Sequence, residues 1–109
     1  MSASDILLRD GIDSPLEFLR EFRFSLSHIP TEITVRFYRL LGGRGVTFRQ
    51  SHFIKTPTQT GEYETSRPGN DTEERALSQV VLSFLDFYNE AVQAGHEPDE
   101  SWLVPNERF

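Results

Sequence analysis

Arginines and aromatic rings alternate with mainly apolar residues in two segments of the chain, residues 33–38 and 46–55. The positions between the apolar ones include Arg36, Tyr38, Arg49, Phe53 and Lys55. Guanidinium groups pair bidentately with carboxylates or phosphates, and they also stack on flat rings. If both segments are strands of one sheet, these side chains share its solvent-facing side, and Arg23 joins them if the preceding segment is a strand too. We therefore predict a binding surface at these positions.

Two classes of partner fit a surface of this chemistry. Single-stranded nucleic acid needs cations for its phosphates and rings that stack on its bases. An acidic protein surface, including that of another copy of this chain, suits the same cations. The chain carries a net charge of −6, which opposes a polyanion, so the sequence favours a protein over nucleic acid. A third interpretation is that these residues only decorate a solvated strand face.

The positive charge of the chain is concentrated in one stretch. Residues 20–55 contain seven basic side chains and two acidic ones, a net of +5, whereas the residues before and after carry −3 and −8. A field of one sign over part of a surface selects partners by charge, although it does not identify them. Ten of the eleven basic residues are arginine, which suits a contact surface and equally fits a compositional preference for that residue.

An acidic segment followed by an apolar one forms the C-terminal tail, residues 96–109. Glu97, Asp99 and Glu100 precede the only tryptophan, Trp102, and Leu103 follows it. Tryptophan is enriched at interface hot spots, so Trp102 and Leu103 are candidate contacts for a partner groove or edge strand. A domain of this size has little apolar surface to spare, however, and the sequence favours a tail that folds back into its own core.

Catalytic, metal and cofactor sites have little support in the sequence. His28, His52 and His96 are scattered, there is no cysteine, and no serine lies in a Gly-x-Ser-x-Gly elbow. The glycines at 42–45 lack the Lys-Ser/Thr of a phosphate-binding loop. His52 with Glu62 and Glu64 is a loosely spaced metal set, and we expect His52 instead to be a hydrogen-bonded residue on the covered face. We predict neither an enzyme nor a cofactor.

The elements that position the binding surface are a hairpin and a long helix. The two alternating segments flank Gly42, Gly43 and Gly45, a pattern typical of an antiparallel hairpin. Residues 62–65 are a candidate fourth strand at the edge. Acidic residues open a helix over 71–94, whose apolar stripe includes Val80, Phe84 and Tyr88. Three further apolar residues of that helix lie off the stripe, and we expect the first helix or a second copy of the chain to cover them: Leu82, Leu85 and Val92.

The first third of the chain has two interpretations. Ser14, Pro15 and Glu17 form a good helix opening, and Leu16 and Leu19 continue at helical spacing. Phe22 alternates with charged residues as in a strand at least as well. We predict a short helix that ends near residue 20, then a strand to about residue 27.

Together these patterns predict an α+β fold, an antiparallel meander of three or four strands packed against one long C-terminal helix, with a short N-terminal helix. Residues 1–95 are expected to form a single domain that the tail extends. The N-terminus has no basic start or apolar signal core, and no run of about eighteen apolar residues occurs. We expect a cytoplasmic, non-enzymatic adaptor or regulatory protein that binds another protein or itself, with single-stranded nucleic acid binding as the alternative.

Overall fold

The computed structural model describes residues 2–65 and 68–109. In chain order the elements are α1 (Ala3–Leu7), β1 (Leu16–Phe24), β2 (Ile33–Leu40), β3 (Val46–Gln50), β4 (His52–Ile54), β5 (Gly69–Asn70), α2 (Glu73–Gln93), a 3-10 turn (Glu100–Trp102) and β6 (Leu103–Pro105). A four-stranded sheet has the order β1-β2-β3-β5, and β4 pairs with β6. The predicted α+β class, with its antiparallel sheet, long C-terminal helix and short N-terminal helix, is confirmed.

Helix α2 covers one face of the sheet. Its buried residues recur every three or four positions, as the apolar stripe predicted: Ala76, Val80, Phe84, Tyr88 and Ala91. They share one core with Ile33, Val35 and Phe37, the alternate residues of β2. Because successive strand residues point to opposite faces, the residues between those three lie on the face away from α2.

The ends of α2 differ slightly from the prediction. The helix predicted from residue 71 begins at Glu73, and Thr72 caps it, since its Oγ1 accepts a hydrogen bond from the Arg75 amide at 3.2 Å. Gly95 follows the C-cap with a φ of +93°, a conformation that favours glycine and ends the helix. Leu82, Leu85 and Val92 are exposed, so the expectation that the first predicted helix covers them is wrong.

The predicted helix from Ser14 to about residue 20 is wrong, because this segment belongs to β1. Ser14 has a φ of +48°, whereas a helix N-cap residue is extended. The pairing of β1 with β2 shifts between Phe18 and Arg20, which leaves Leu19 as a bulge. That extra residue breaks the alternation of β1 and produces apparent helical spacing. The short N-terminal helix is α1 instead, and a capping box between Ser2 and Asp5 stabilises its N-terminus.

The second strand of the predicted hairpin is shorter than expected. β2 and β3 pair as predicted, with Phe37 opposite Phe48, but the run does not continue unbroken to residue 55. The chain leaves the sheet at Ser51, and β4 pairs with β6 of the tail. The predicted fourth strand at 62–65 is also wrong: Tyr63 makes an isolated bridge to Ile54, and β5 takes the edge position.

Close backbone approach explains the position of β5. A Cβ on Gly69 would lie 2.5 Å from the Val46 carbonyl oxygen, so only glycine fits beside β3 at this position. Gly45, in the β2–β3 turn, has a φ of +85°, and a Cβ there would lie 2.6 Å from the Asn70 carbonyl oxygen. Gly45 and Gly69 therefore allow β5 to lie close to β3 and the β2–β3 turn.

Candidate functional site

The pairing of β1, β2 and β3 brings arginines and rings together on the side of the sheet away from α2. Arg36 of β2 lies opposite Glu21 of β1 and Arg49 of β3, and Tyr38 lies opposite Phe18 of β1. We call this side the open face. Its residues are Phe18, Glu21, Arg23, Thr34, Arg36, Tyr38, Thr47 and Arg49.

One carboxylate organises two of the arginines. Arg36 Nε donates to Glu21 Oε1 at 2.9 Å, and Arg23 Nε donates to Glu21 Oε2 at 2.8 Å. The Arg36 hydrogen bond, followed by that of Arg23, lowers the pKa of Glu21, and the same contact raises the pKa of Arg36. Glu21 therefore remains charged at neutral pH, and it fixes the orientation of both guanidinium groups while neutralising part of their charge.

Each ring at the centre of the open face lies against a guanidinium group. The Cζ atom of Arg49 lies 5.1 Å from the centre of the Tyr38 ring, and Cζ of Arg36 lies 4.3 Å from that of Phe109. Phe109 comes from the tail, which thus reaches the open face. Phe18 contacts Tyr38 edge to face at 5.8 Å and is 55% exposed. The surface is a mixture of cations and apolar rings, which is typical of protein interfaces.

Arg49 supplies a positive charge that forms no ion pair within the described residues. Across residues 2–65 and 68–109, neither Arg49 nor Lys55 takes part in an ion pair within 4.0 Å. Both side chains are exposed. Arg49 also lines a cavity of about 210 Å³ beside the open face, together with Thr65, Asn106 and an ion pair between Arg108 and Glu64 at 3.7 Å.

That cavity is polar at its rim and aromatic beneath. Phe48 and Phe53 contribute to its lining, and both are buried. The hydroxyl oxygen of Thr65 is buried with no hydrogen-bond partner in the described part of the chain. The volume lies below the range of pockets that enclose drug-sized ligands.

The structure separates the predicted binding residues into two groups. Arg23, Arg36, Tyr38 and Arg49 lie together on the open face, as the alternation predicted. Phe53 was predicted there too, and that prediction is wrong: it is 7% exposed because the chain turns away at Ser51. Lys55 follows β4, where its amide donates to the Trp102 carbonyl oxygen at 2.8 Å, so it is carried by the smaller β4–β6 sheet.

The tail residues lie in the core. Trp102 is 3% exposed and Leu103 6%, and the Trp102 ring lies 5.8 Å from that of Tyr88. Tyr88 in turn donates from its hydroxyl to the Ser27 carbonyl oxygen at 2.7 Å. Of the two arrangements considered for the tail, the structure has the one in which it folds back. Neither side chain is available to a partner in this arrangement.

Sequence reasoning missed three residues of the surface: Phe18, Glu21 and Phe109. The bulge at Leu19 concealed Phe18, because it placed this ring within an apparent helix. Glu21 was visible as an acid between two arginines in sequence, but its role as their common partner depends on the register of β1 against β2. No signal in the sequence places Phe109 over Arg36.

His52 contacts a neighbouring hydroxyl group. Its Nδ1 lies 2.8 Å from Ser51 Oγ, and Ser51 Oγ accepts from the Thr34 amide at 2.8 Å. Burial lowers the pKa of His52. Within the described ranges, no group of three or more histidine, aspartate or glutamate side chains is arranged to hold a metal ion.

The chain was compared with protein families, curated proteins and solved structures. No family model matches it, and no curated protein or solved structure does either. In the described part of the chain, no helix has the length and apolar character needed to cross a bilayer.

Proposed function

We propose that the protein is a small, non-enzymatic adaptor or regulatory protein that binds another protein through its open face. The observation that carries this proposal is the pairing of Arg36 with Arg49 on adjacent strands, beside an exposed ring at Phe18. Arginine and aromatic side chains contribute most of the energy at many protein interfaces. We propose a cytoplasmic location, since a chain without cysteine has no disulfide that would require an oxidising compartment.

The chemistry of the open face favours an acidic partner with apolar side chains. Arg49 needs a carboxylate that the described chain does not provide, and a planar guanidinium can bind one bidentately. Phe18 offers a largely exposed ring next to Tyr38. An acidic segment with an apolar residue beside its carboxylate would satisfy both at once.

Single-stranded nucleic acid remains the second candidate, and two observations make it weaker. Binding of bases requires ring faces on which they can stack, yet Arg49 lies over Tyr38 and Arg36 over Phe109. Glu21 adds a negative charge at the centre of the face, where phosphates would lie. A protein carboxylate needs only one free guanidinium, which Arg49 supplies.

The proposal is tested by capture of partners with charge-reversed bait. Wild-type protein and the double variant Arg36→Glu/Arg49→Glu are used as bait in extract of the native host, with and without nuclease. The matched control is Arg39→Glu/Arg75→Glu, which changes the net charge equally. Arg39 alternates with Tyr38 and so points away from the open face, and Arg75 lies on α2.

We expect wild type and control to capture the same acidic protein after nuclease treatment, and the open-face variant to capture at least tenfold less, because reversed charges would repel its carboxylates. Equal capture by both double variants would contradict the assignment of the open face. Capture that is lost after nuclease treatment would indicate that the partner is nucleic acid and not protein.

A further inference from the structure

The two edges of the four-stranded sheet are very different. On one side β5 spans only Gly69–Asn70. On the other side β1 spans nine residues, Leu16–Phe24, and it has no strand beyond it in the described sheet. Natural proteins usually protect an edge strand with charged side chains, above all lysine, with proline or with a bulge. β1 contains neither lysine nor proline, and its charged residues include both signs, among them Glu21 and Arg23. Its one interruption, the bulge at Leu19, leaves residues 20–24 regular.

The hydrogen bonds of β2 show which backbone groups of β1 point outward. Ser51 N donates to Thr34 O at 2.9 Å, so the even-numbered residues of β2 bond to β3 and the odd-numbered ones to β1. Phe22, opposite Val35, therefore uses its amide and carbonyl inside the sheet. Its neighbours Glu21 and Arg23 direct theirs to the free edge. A fifth strand would bind there.

The side chains of this segment are complementary to themselves. We propose that β1 pairs antiparallel with β1 of a second copy of the chain, about a twofold axis at Phe22. Glu21 of each copy then lies opposite Arg23 of the other on the open face, and the two Phe22 rings meet on the side of α2. The four outward backbone groups of each copy find partners, and Phe22, now 36% exposed, becomes buried.

Neighbouring registers are less favourable. Moving the axis by one residue, to Glu21 or Arg23, places two like charges directly opposite each other, which destabilises a strand pair. Moving the axis by half a residue, to a point midway between Phe22 and Glu21 or Arg23, places residues opposite each other whose side chains lie on different faces of the sheet. The axis at Phe22 alone combines opposite charges on one face with an aromatic pair on the other.

Pairing in this way would join two open faces into one surface. The two Arg36 residues would be separated by three strand spacings of about 4.8 Å and an offset of about 7 Å along the strands, which is about 16 Å in all. The inference does not depend on the proposed function, since it needs only β1, and the capture experiment changes residues of β2 and β3.

Two charge variants test the proposed register. Arg23→Glu makes both members of each cross-strand pair acidic, and Glu21→Lys makes both members basic, so each variant alone has like charges at both pairs. In a heterodimer of the two variants an acid again lies opposite a base at both pairs, so mixing them should restore dimerisation.

A second rescue exchanges both charges within one chain. The double variant Glu21→Arg/Arg23→Glu again places an acid opposite a base at both cross-strand pairs of the dimer, and it keeps the net charge of the wild type. Sedimentation velocity measures the mass and the affinity of each dimer. Far-UV circular dichroism verifies that each variant is folded.

We expect wild type to sediment at twice the chain mass of 12.6 kDa. Each single variant should have a dimer Kd at least tenfold higher, and the double variant should return to within about threefold of wild type. A wild-type protein that stays monomeric at high micromolar concentration would overturn the inference. Single variants that dimerise as tightly as wild type, or a folded double variant that stays monomeric, would overturn it as well.

Discussion

Replacing Trp102 by alanine should remove a large part of the free energy of unfolding. The side chain is 3% exposed and contacts the ring of Tyr88. A tryptophan buries roughly 150–250 Å², which at about 25 cal/mol per Å² corresponds to about 4–6 kcal/mol as an upper estimate. Truncations of buried aromatic residues cost about 3–5 kcal/mol in practice, against roughly 5–15 kcal/mol of stability in a typical domain.

Urea unfolding monitored by far-UV circular dichroism measures this loss. With a slope of about 1–3 kcal/mol per molar urea, a loss of about 4 kcal/mol lowers the midpoint by more than 1 M. The matched control is Phe109→Ala in the same tail, since this ring is 37% exposed and should cost less than about 1 kcal/mol.

The emission of Trp102, the only tryptophan, gives an independent measurement on the wild-type protein. A buried indole should emit at short wavelength and shift to longer wavelength at the urea midpoint. A loss below about 0.5 kcal/mol in Trp102→Ala, together with red emission from the folded wild type, would refute the placement of the tail in the core. It would also restore Trp102 as a candidate contact for a partner.

Three further predictions concern titration and backbone conformation. The lowered pKa of Glu21 stabilises the fold above the unfolded-state pKa of about 4.3, and this stabilisation is lost as the pH falls through the folded-state pKa. Between about pH 5 and 3, Glu21→Gln should therefore lose less stability than the wild type. Parallel plots of stability against pH for the two proteins would contradict the Arg36 contact. Because burial lowers the pKa of His52, the unfolded state takes up a proton at a higher pH than the folded state, so stability should decline as the pH falls below about 6.5. In thermal melts, His52→Gln should lack this dependence of stability on pH. An unchanged dependence would assign it to another group. Gly45→Ala should cost about 1–3 kcal/mol because Gly45 has a positive φ and its Cβ would approach the Asn70 carbonyl oxygen. Gly61→Ala, where a Cβ would have nothing within 4 Å, should change stability by less than about 0.5 kcal/mol in the same urea assay. Equal effects of the two substitutions would contradict the described β2–β3 turn.

The hairpin and the long helix were predictable because each follows one period over many residues. Ile33, Val35 and Phe37 alternate without interruption, and the stripe of α2 repeats along the whole helix, so local pattern and burial agree. In β1 a single bulged residue, Leu19, was enough to make a strand resemble a helix. Bulges depend on pairing with the neighbouring strand, which no window of sequence reveals.

The candidate site was predictable where it depended on alternation alone. Arg36, Tyr38 and Arg49 share one face because β2 and β3 are regular. The position of Phe53 depended on where the strand stops, and the chain leaves the sheet because Ser51 binds Thr34 on one side and accepts from the amide of Asn106 on the other. That second contact comes from the tail, far away in sequence.

The most direct test of the open face is a map of the residues that a captured partner contacts. Amide and arginine Nε–Hε signals of the isotopically labelled protein are recorded by NMR while the purified partner is added. We expect the largest shifts at Arg36, Tyr38 and Arg49, with the signals of α2 nearly unaffected. Shifts concentrated at Leu82, Leu85 and Val92, with the arginine signals unchanged, would contradict it and assign binding to the exposed side of α2.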